Sequence, residues 1–124
     1  MKAAIIYYSK TGNTKAFSEH MAQKLKIEAF PLNLITKKGR GTKEEVGKEN
    51  IMFSQALEAC KDSDLVIICT PTSFKKAHSK IIRFTKKVEA KNVCLFCSHY
   101  NQLGTTFSDL EEILINKGIN IIGT

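Results

Sequence analysis

Five short apolar runs alternate with four segments of helical periodicity along this 124-residue chain. Such short apolar runs fit strands buried on both faces, and apolar residues repeating every three or four positions fit amphipathic helices. This alternation predicts a parallel sheet with helices on both faces. We therefore expect one α/β domain over residues 1–124, a three-layer, doubly wound, five-stranded parallel sheet. The predicted strands are residues 3–8, 27–34, 64–70, 92–98 and 119–123.

The predicted helices differ in how clearly an apolar stripe marks them. The first spans residues 14–26, and Phe17, Met21 and Leu25 form its stripe. Residues 36–50 contain almost nothing apolar and are interpreted as a loop or a ragged helix start. The remaining predicted helices are residues 51–61, a helix carrying Ile81, Phe84 and Val88, and a helix carrying Phe107, Leu110 and Leu114 that ends at Lys117-Gly118.

The chain is basic, with 19 Lys and Arg against 12 Asp and Glu and a net charge of +7. That excess suggests acidic partners or nucleic acid. The basic residues are scattered in runs no longer than a pair, and aromatic residues do not alternate with them, which argues against nucleic acid. No apolar run approaches the roughly 18 residues of a membrane helix. We expect a cytoplasmic protein whose four cysteines remain thiols.

The first strand ends in a hydroxyl-rich turn, and a predicted helix follows at once. The turn consists of Ser9, Lys10, Thr11, Gly12, Asn13 and Thr14. Backbone N–H groups at a helix N-terminus bind phosphate together with neighbouring hydroxyls. The alternative is a plain strand-to-helix turn capped by Asn13 or Thr14. Such a turn, however, would not need three hydroxyl side chains. The glycine-rich motifs of P-loop NTPases and of dinucleotide-binding domains are both absent.

Ser-x-Thr-Gly-Asn-Thr after an N-terminal strand resembles the FMN-phosphate loop of the flavodoxin family. The order of elements extends this resemblance over nearly the whole chain. It implies strand order 2-1-3-4-5, with FMN held non-covalently at the C-terminal ends of strands 1, 3 and 4. Three loops, residues 9–14, 71–79 and 98–104, would then surround one crevice.

The resemblance also implies which residues flank the flavin ring. The second loop would supply Pro71, Thr72, Ser73 and Phe74, and the third would supply Ser98, His99, Tyr100 and Gly104. Tyr100 is the best stacking candidate in a chain without tryptophan. For three of these residues a position away from the flavin stays open as the alternative. Phe74 would then lie in the core, Tyr100 would be half-exposed in its loop, and His99 would face water. The second loop departs from the family pattern because it contains no glycine.

Cys94 and Cys97 are spaced like a metal-binding or redox pair. On a strand, however, residues three apart point to opposite faces. No second Cys or His pair stands at metal-ligand spacing. We therefore interpret both cysteines as core residues and expect no metal site.

The function implied by the resemblance is electron transfer through bound FMN, with no catalytic side chain, because the cofactor supplies the chemistry. An electron carrier is favoured over an enzyme with its own substrate. The alternatives are an FMN-dependent NAD(P)H or quinone-type reductase, and a flavodoxin-fold domain that has lost flavin binding. The positive charge favours an acidic redox partner protein or a nicotinamide dinucleotide as the partner.

The fifth predicted strand is followed only by Thr124, whereas flavodoxin-like folds usually end in a further helix. That helix normally covers one sheet face together with the first helix. Without it, part of this face would remain apolar and exposed. We expect self-association, as a two-fold dimer, or a partner chain to bury it. The rival expectation is a truncated and marginally stable chain.

Overall fold

The computed structural model describes residues 2–8, 13–32, 43–73, 76–77, 79–98 and 106–123. Six strands and four helices lie within these ranges. The strands are β1 (Ala3–Tyr7), β2 (Glu28–Pro31), β3 (Leu65–Ser73), β4 (Lys76–Ala77), β5 (Asn92–Ser98) and β6 (Asn120–Gly123). The helices are α1 (Asn13–Leu25), α2 (Lys43–Lys61), α3 (Ser79–Lys87) and α4 (Thr106–Asn116).

Five of the strands form one parallel sheet in the order β2-β1-β3-β5-β6. This is the predicted 2-1-3-4-5 order, since β5 and β6 are the fourth and fifth long strands along the chain. The two-residue β4 was not predicted, and it pairs antiparallel with the end of β3. The predicted doubly wound α/β architecture is therefore confirmed.

Helices α2, α3 and α4 pack on one face of the sheet. Their apolar residues join the strand residues of that face in one buried cluster, in which Phe84 is among the largest fully buried side chains. On β5, this face holds Val93 and Leu95, both fully buried. Burial of these continuous apolar strands and helix stripes is the main source of the fold's stability.

Helix α1 packs on the opposite face and covers only part of it. A smaller cluster there joins Ala22 of α1 to strand residues including Ile67 and Cys69. Cys94 and Phe96, which lie on this face of β5, are only half-buried. The ring of Phe17 on α1 lies 6.0 Å from that of Phe96, yet Phe17 stays 46% exposed. We call Phe17, Cys94 and Phe96 the open face.

The predicted apolar stripe of α1 is wrong by one position along the helix. Phe17 and Leu25 are 46% and 54% exposed, and the buried residues are Thr14, Ser18 and Ala22. These small side chains let the helix backbone approach the sheet closely, whereas larger ones at the same positions would overfill the space. Burial here follows shape rather than the position of the most hydrophobic residues.

Helix α2 begins at Lys43, eight residues before the predicted start at Ile51. Its first two turns contain mostly Lys and Glu, which are good helix formers but leave no apolar stripe to detect. Strand β2 ends at Pro31, earlier than predicted, and its edge position agrees with the proline, which lacks a backbone donor.

Helix α4 ends as predicted. Gly118 adopts a φ of 75°, and the Ile119 N–H donates to the Leu114 carbonyl at 3.0 Å. This bond satisfies a carbonyl at the helix end, and the left-handed conformation is the one that favours glycine.

Among the residues that the structure describes, no helix is long and apolar enough to cross a membrane.

Candidate functional site

The carboxyl ends of β1, β3 and β5 meet at one edge of the sheet. Strand register pairs Tyr7 with Cys69, Cys69 with Phe96, and Pro71 with Ser98. The Tyr8 N–H donates to the Cys69 carbonyl at 3.3 Å and extends the pairing past the end of β1. The chain segments leaving these three strands are those predicted to surround one crevice, so the topology brings their starting points together.

The predicted site residues fall into two groups. Those within the described ranges are Asn13, Thr14, Pro71, Thr72, Ser73 and Ser98. Those outside the described residues are Ser9, Lys10, Thr11, Gly12, Phe74, His99, Tyr100 and Gly104.

Asn13 and Thr14 form the start of α1, which begins one residue earlier than predicted. Thr14 is 3% exposed although it lies in the first turn. The first backbone N–H groups of a helix have no partner within the helix, and the helix dipole makes this end electropositive. Thr14 therefore brings a buried, hydroxyl-bearing residue to the electropositive end of α1.

Pro71, Thr72 and Ser73 were predicted to lie in a loop, but they belong to β3. Strand β1 ends opposite Cys69, so within the described ranges no residue of β1 lies opposite Pro71. Pro71 can therefore continue the strand without a missing hydrogen bond. Beyond it, β3 and β4 pair antiparallel, with Thr72 opposite Ala77 and Ser73 opposite Lys76.

The layer beneath the site is uncharged at neutral pH. Burial, reinforced by the charge of Glu19, raises the pKa of Tyr7 to about 12. Burial raises the pKa of Cys69 to about 11, an increase that a contact with the Ser18 hydroxyl partly offsets. Within the part of the chain that the structure describes, the Ser18 hydroxyl makes no hydrogen bond of ordinary distance and angle, to sulfur or to any other atom, so its contact with Cys69 is weak. Buried neutral groups of this kind leave the core beneath the strand ends without charge.

Cys94 pairs in register with Ile67 and is half-buried on the open face, so it is less enclosed than the predicted core position. Burial raises the pKa of its thiol. The side chain of Cys97 lies outside the described residues. Among the described residues, no group of three or more His, Cys, Asp or Glu side chains could hold a metal ion.

Sequence reasoning missed Lys80, which lies at the margin of the site. Its Nζ is 5.7 Å from the centroid of the Tyr8 ring and 2.8 Å from Oε2 of Glu49. Tyr8 directly follows β1, while Lys80 is the second residue of α3. Nothing in the local sequence links these two positions, because only the strand order brings the start of α3 beside the end of β1.

No protein-family model matches this sequence, and no curated protein sequence matches it. Solved structures do match its fold. A flavoprotein from Lactobacillus acidophilus NCFM, in complex with FMN, superposes with a TM-score of 0.68 at 18% identity, over 98% of this chain and 90% of that one. A flavodoxin from Fusobacterium nucleatum, bound to flavin mononucleotide, gives 0.61 at 12% identity, over 98% of this chain and 68% of that one.

The chain has the flavodoxin fold. A WrbA-like flavodoxin from Agrobacterium tumefaciens also matches it, with a TM-score of 0.62 at 17% identity, over 96% of this chain and 74% of that one. In this fold ligands bind beyond the carboxyl ends of the strands, where the strand order reverses. That position is the edge at which β1, β3 and β5 end in this protein.

Proposed function

We propose that this protein binds FMN non-covalently at the carboxyl ends of β1, β3 and β5 and transfers electrons through it. The burial of Thr14 in the first turn of α1, directly after the β1 segment, carries the proposal. The fold supports it, because structures that share the fold were solved with FMN bound.

In this proposal Ser9–Thr14 and the first turn of α1 hold the FMN phosphate. Helix-end N–H groups donate to the phosphate, and the helix dipole stabilises its charge. The hydroxyl of Thr14 adds a hydrogen bond to a charged acceptor. Such a bond contributes about 1.5–3 kcal/mol, or about a ten- to hundredfold change in affinity.

Pro71–Phe74 would line one side of the flavin ring, and Ser98–Tyr100 with Gly104 would line the other. When bound, FMN supplies the redox chemistry, while the protein orients it and excludes water. The neutral floor formed by Tyr7 and Cys69 suits an uncharged ring system. Lys80 lies at the margin, where the part of its positive charge that Glu49 does not offset favours the more negative, reduced form of the cofactor.

We propose an acidic redox protein as the partner, and a cytoplasmic setting. The net charge of +7 supports an acidic partner. The buried thiols of Cys60 and Cys69 fit a reducing compartment. The same positive charge would suit a nicotinamide dinucleotide, so an FMN-dependent reductase is the second candidate. Oxidation of NAD(P)H with a quinone acceptor would identify the reductase.

The deciding measurement is FMN binding. It is detected by the visible absorbance of oxidised flavin in the purified protein and quantified by titration. Thr14→Val keeps the shape of the side chain and removes its hydroxyl. We expect it to weaken FMN binding about ten- to hundredfold and to leave riboflavin binding unchanged, because riboflavin lacks the phosphate. Thr85→Val is the matched control, since Thr85 is also buried and lies on α3, away from the start of α1, where its hydroxyl donates to the Ile81 carbonyl.

Three results would reject this assignment. A wild-type protein that binds no flavin would leave only a shared fold. Equal losses of FMN and riboflavin affinity in Thr14→Val would mean that Thr14 does not contact the phosphate. Equal losses in Thr14→Val and Thr85→Val would attribute the effect to general destabilisation.

We further propose that two copies associate through the open face. Phe17 and Phe96 form a partly exposed aromatic pair there, and covering it would gain about 25 cal/mol for each Å² of apolar surface removed from water. Sedimentation equilibrium should give a dimer that Phe17→Ser converts to monomer. Ile115→Ser on α4, where the isoleucine is 64% exposed, should leave the dimer intact. A wild-type monomer that is stable on dilution would contradict the proposal.

A further inference from the structure

Nearly all of the net positive charge of this protein lies in one segment of the sequence. Residues 65–88 contain six Lys and Arg and no Asp or Glu, so they supply six of the seven net charges. In the structure this segment is β3, β4 and α3, and four of its cations are on α3. Although no run of basic residues is longer than a pair, the excess of basic over acidic residues is therefore concentrated in this one segment.

Three of the α3 cations lie on the side of the helix that faces α2. Lys80, Arg83 and Lys87 follow one another at spacings of three and four residues, which places them on one face of the helix. Arg83 lies 5.0 Å and Lys87 5.8 Å from the ring centroid of Phe53 on α2. We call Phe53, Lys80, Arg83 and Lys87 the basic α3 face.

Phe53 is held in place from below. Its ring meets that of Phe84 edge-on, with centroids 5.5 Å apart and an interplanar angle of 82°, and Phe84 is fully buried. Arg83 and Lys87 therefore contact a ring that is itself packed against the core. Such preorganisation lowers the entropy that a docking partner must otherwise overcome.

The charge on this face is only partly neutralised. Glu49 pairs with Lys80 at 2.8 Å. Among the residues that the structure describes, no carboxylate lies within 4.0 Å of the charged groups of Arg83 or Lys87. Both side chains belong to exposed residues, so they remain accessible to carboxylates from another molecule.

We propose that the basic α3 face is the docking surface for the acidic redox partner. Arginine is enriched at interface hot spots, and a positive face steers an acidic protein towards it. Lys80 joins this face to the margin of the site beside Tyr8, so a partner seated on it would lie next to the strand ends. This inference deepens the proposed function, on which it rests for the redox nature of the partner.

Two features favour an acidic protein over other anions. The hollow between α2 and α3 has a volume of about 40 Å³, enough for a few water molecules and too small for a nucleotide. The Phe53 ring is covered by cations, and Glu49 stands beside them, so no aromatic face is offered for a nucleic-acid base to stack on.

The test measures binding of a fluorescein-labelled, glutamate-rich peptide in low-salt buffer by fluorescence anisotropy. The double variant Arg83→Glu and Lys87→Glu lowers the net charge from +7 to +3. Lys24→Glu with Lys61→Glu lowers it equally and changes exposed lysines in the last turns of α1 and α2. We expect the first pair to weaken peptide binding about tenfold or more and the second pair to weaken it less than about threefold.

Equal losses in the two double variants would mean that binding follows net charge alone, and would overturn the inference. So would tighter binding of a single-stranded oligonucleotide that is lost with the same substitutions, because the face would then be a nucleic-acid site. Arg83→Gln with Lys87→Gln repeats the test if charge reversal prevents folding. Binding is measured with and without saturating FMN. A protein that binds the peptide specifically but no flavin would therefore refute the redox function and retain the docking surface.

Discussion

Two helix ends in this protein have the same geometry but different residues, and they permit a sharp test of backbone strain. Gly118 follows α4 with a φ of 75°, and Lys26 follows α1 with a φ of 56°. In each case the next residue donates back across the turn at 3.0 Å, from Ile119 to the Leu114 carbonyl and from Ile27 to the Ala22 carbonyl. Both residues therefore occupy the left-handed position of a helix C-terminus, which favours glycine.

The expected changes in the free energy of unfolding follow from this geometry. A left-handed conformation costs a residue with a side chain about 1–2 kcal/mol. Glycine has the opposite cost: it is more flexible than alanine in the unfolded chain, so ordering it on folding costs about 0.4–1 kcal/mol more. We expect Gly118→Ala to destabilise the protein by about 1 kcal/mol and Lys26→Gly to stabilise it by about 0.5–1 kcal/mol. Apart from its chain neighbours, no described residue has an atom within 4 Å of the position that a Cβ would take on Gly118, so a clash with another part of the fold does not contribute.

Gly47→Ala is the control, because it makes the same chemical change in the interior of α2. Gly47 also has open space where a Cβ would lie, and its φ is not in the left-handed region. Alanine there should stabilise the helix by about 1 kcal/mol. Urea unfolding gives the free energies, and thermal unfolding should show shifts of about 3–4 °C per kcal/mol. A neutral or stabilising Gly118→Ala, or the same sign at Gly118 and Gly47, would refute the reasoning.

Two further predictions concern the core. Phe84→Ala should destabilise the protein by about 3–5 kcal/mol, because Phe84 is fully buried, and urea unfolding should show a loss far larger than that for Phe17→Ala at its half-exposed position. Burial raises the pKa of the Cys60 thiol to about 12, so the folded protein keeps a proton that the unfolded chain loses near pH 9. Stability should therefore fall as the pH rises above 9, by about 1.4 kcal/mol at pH 10 from this group, and Cys60→Ala should remove that share while the share from Cys69 remains. A pH-independent stability between pH 8 and 10 in the wild-type protein would contradict this.

The sequence alone determined the order of the four helices and the five long strands, and with it the fold class. Runs such as residues 64–70 are apolar at nearly every position, and only a strand covered on both faces explains them. The end of α4 at Gly118 was equally clear, because a left-handed turn selects glycine by local sterics. These features are local, or repeat at a fixed period, so the linear sequence contains them fully.

The tertiary structure decided which faces and which distant residues meet. It buried Ser18 and Ala22 of α1 rather than the larger Phe17, because the space between helix and sheet admits only small side chains. It extended β3 through Pro71, because the neighbouring strand stops short of that point. It also brought Lys80 to Tyr8, and Arg83 and Lys87 to Phe53. Contacts of this kind depend on strand order and on the shape of the space between layers, and neither is written in the local pattern of residues.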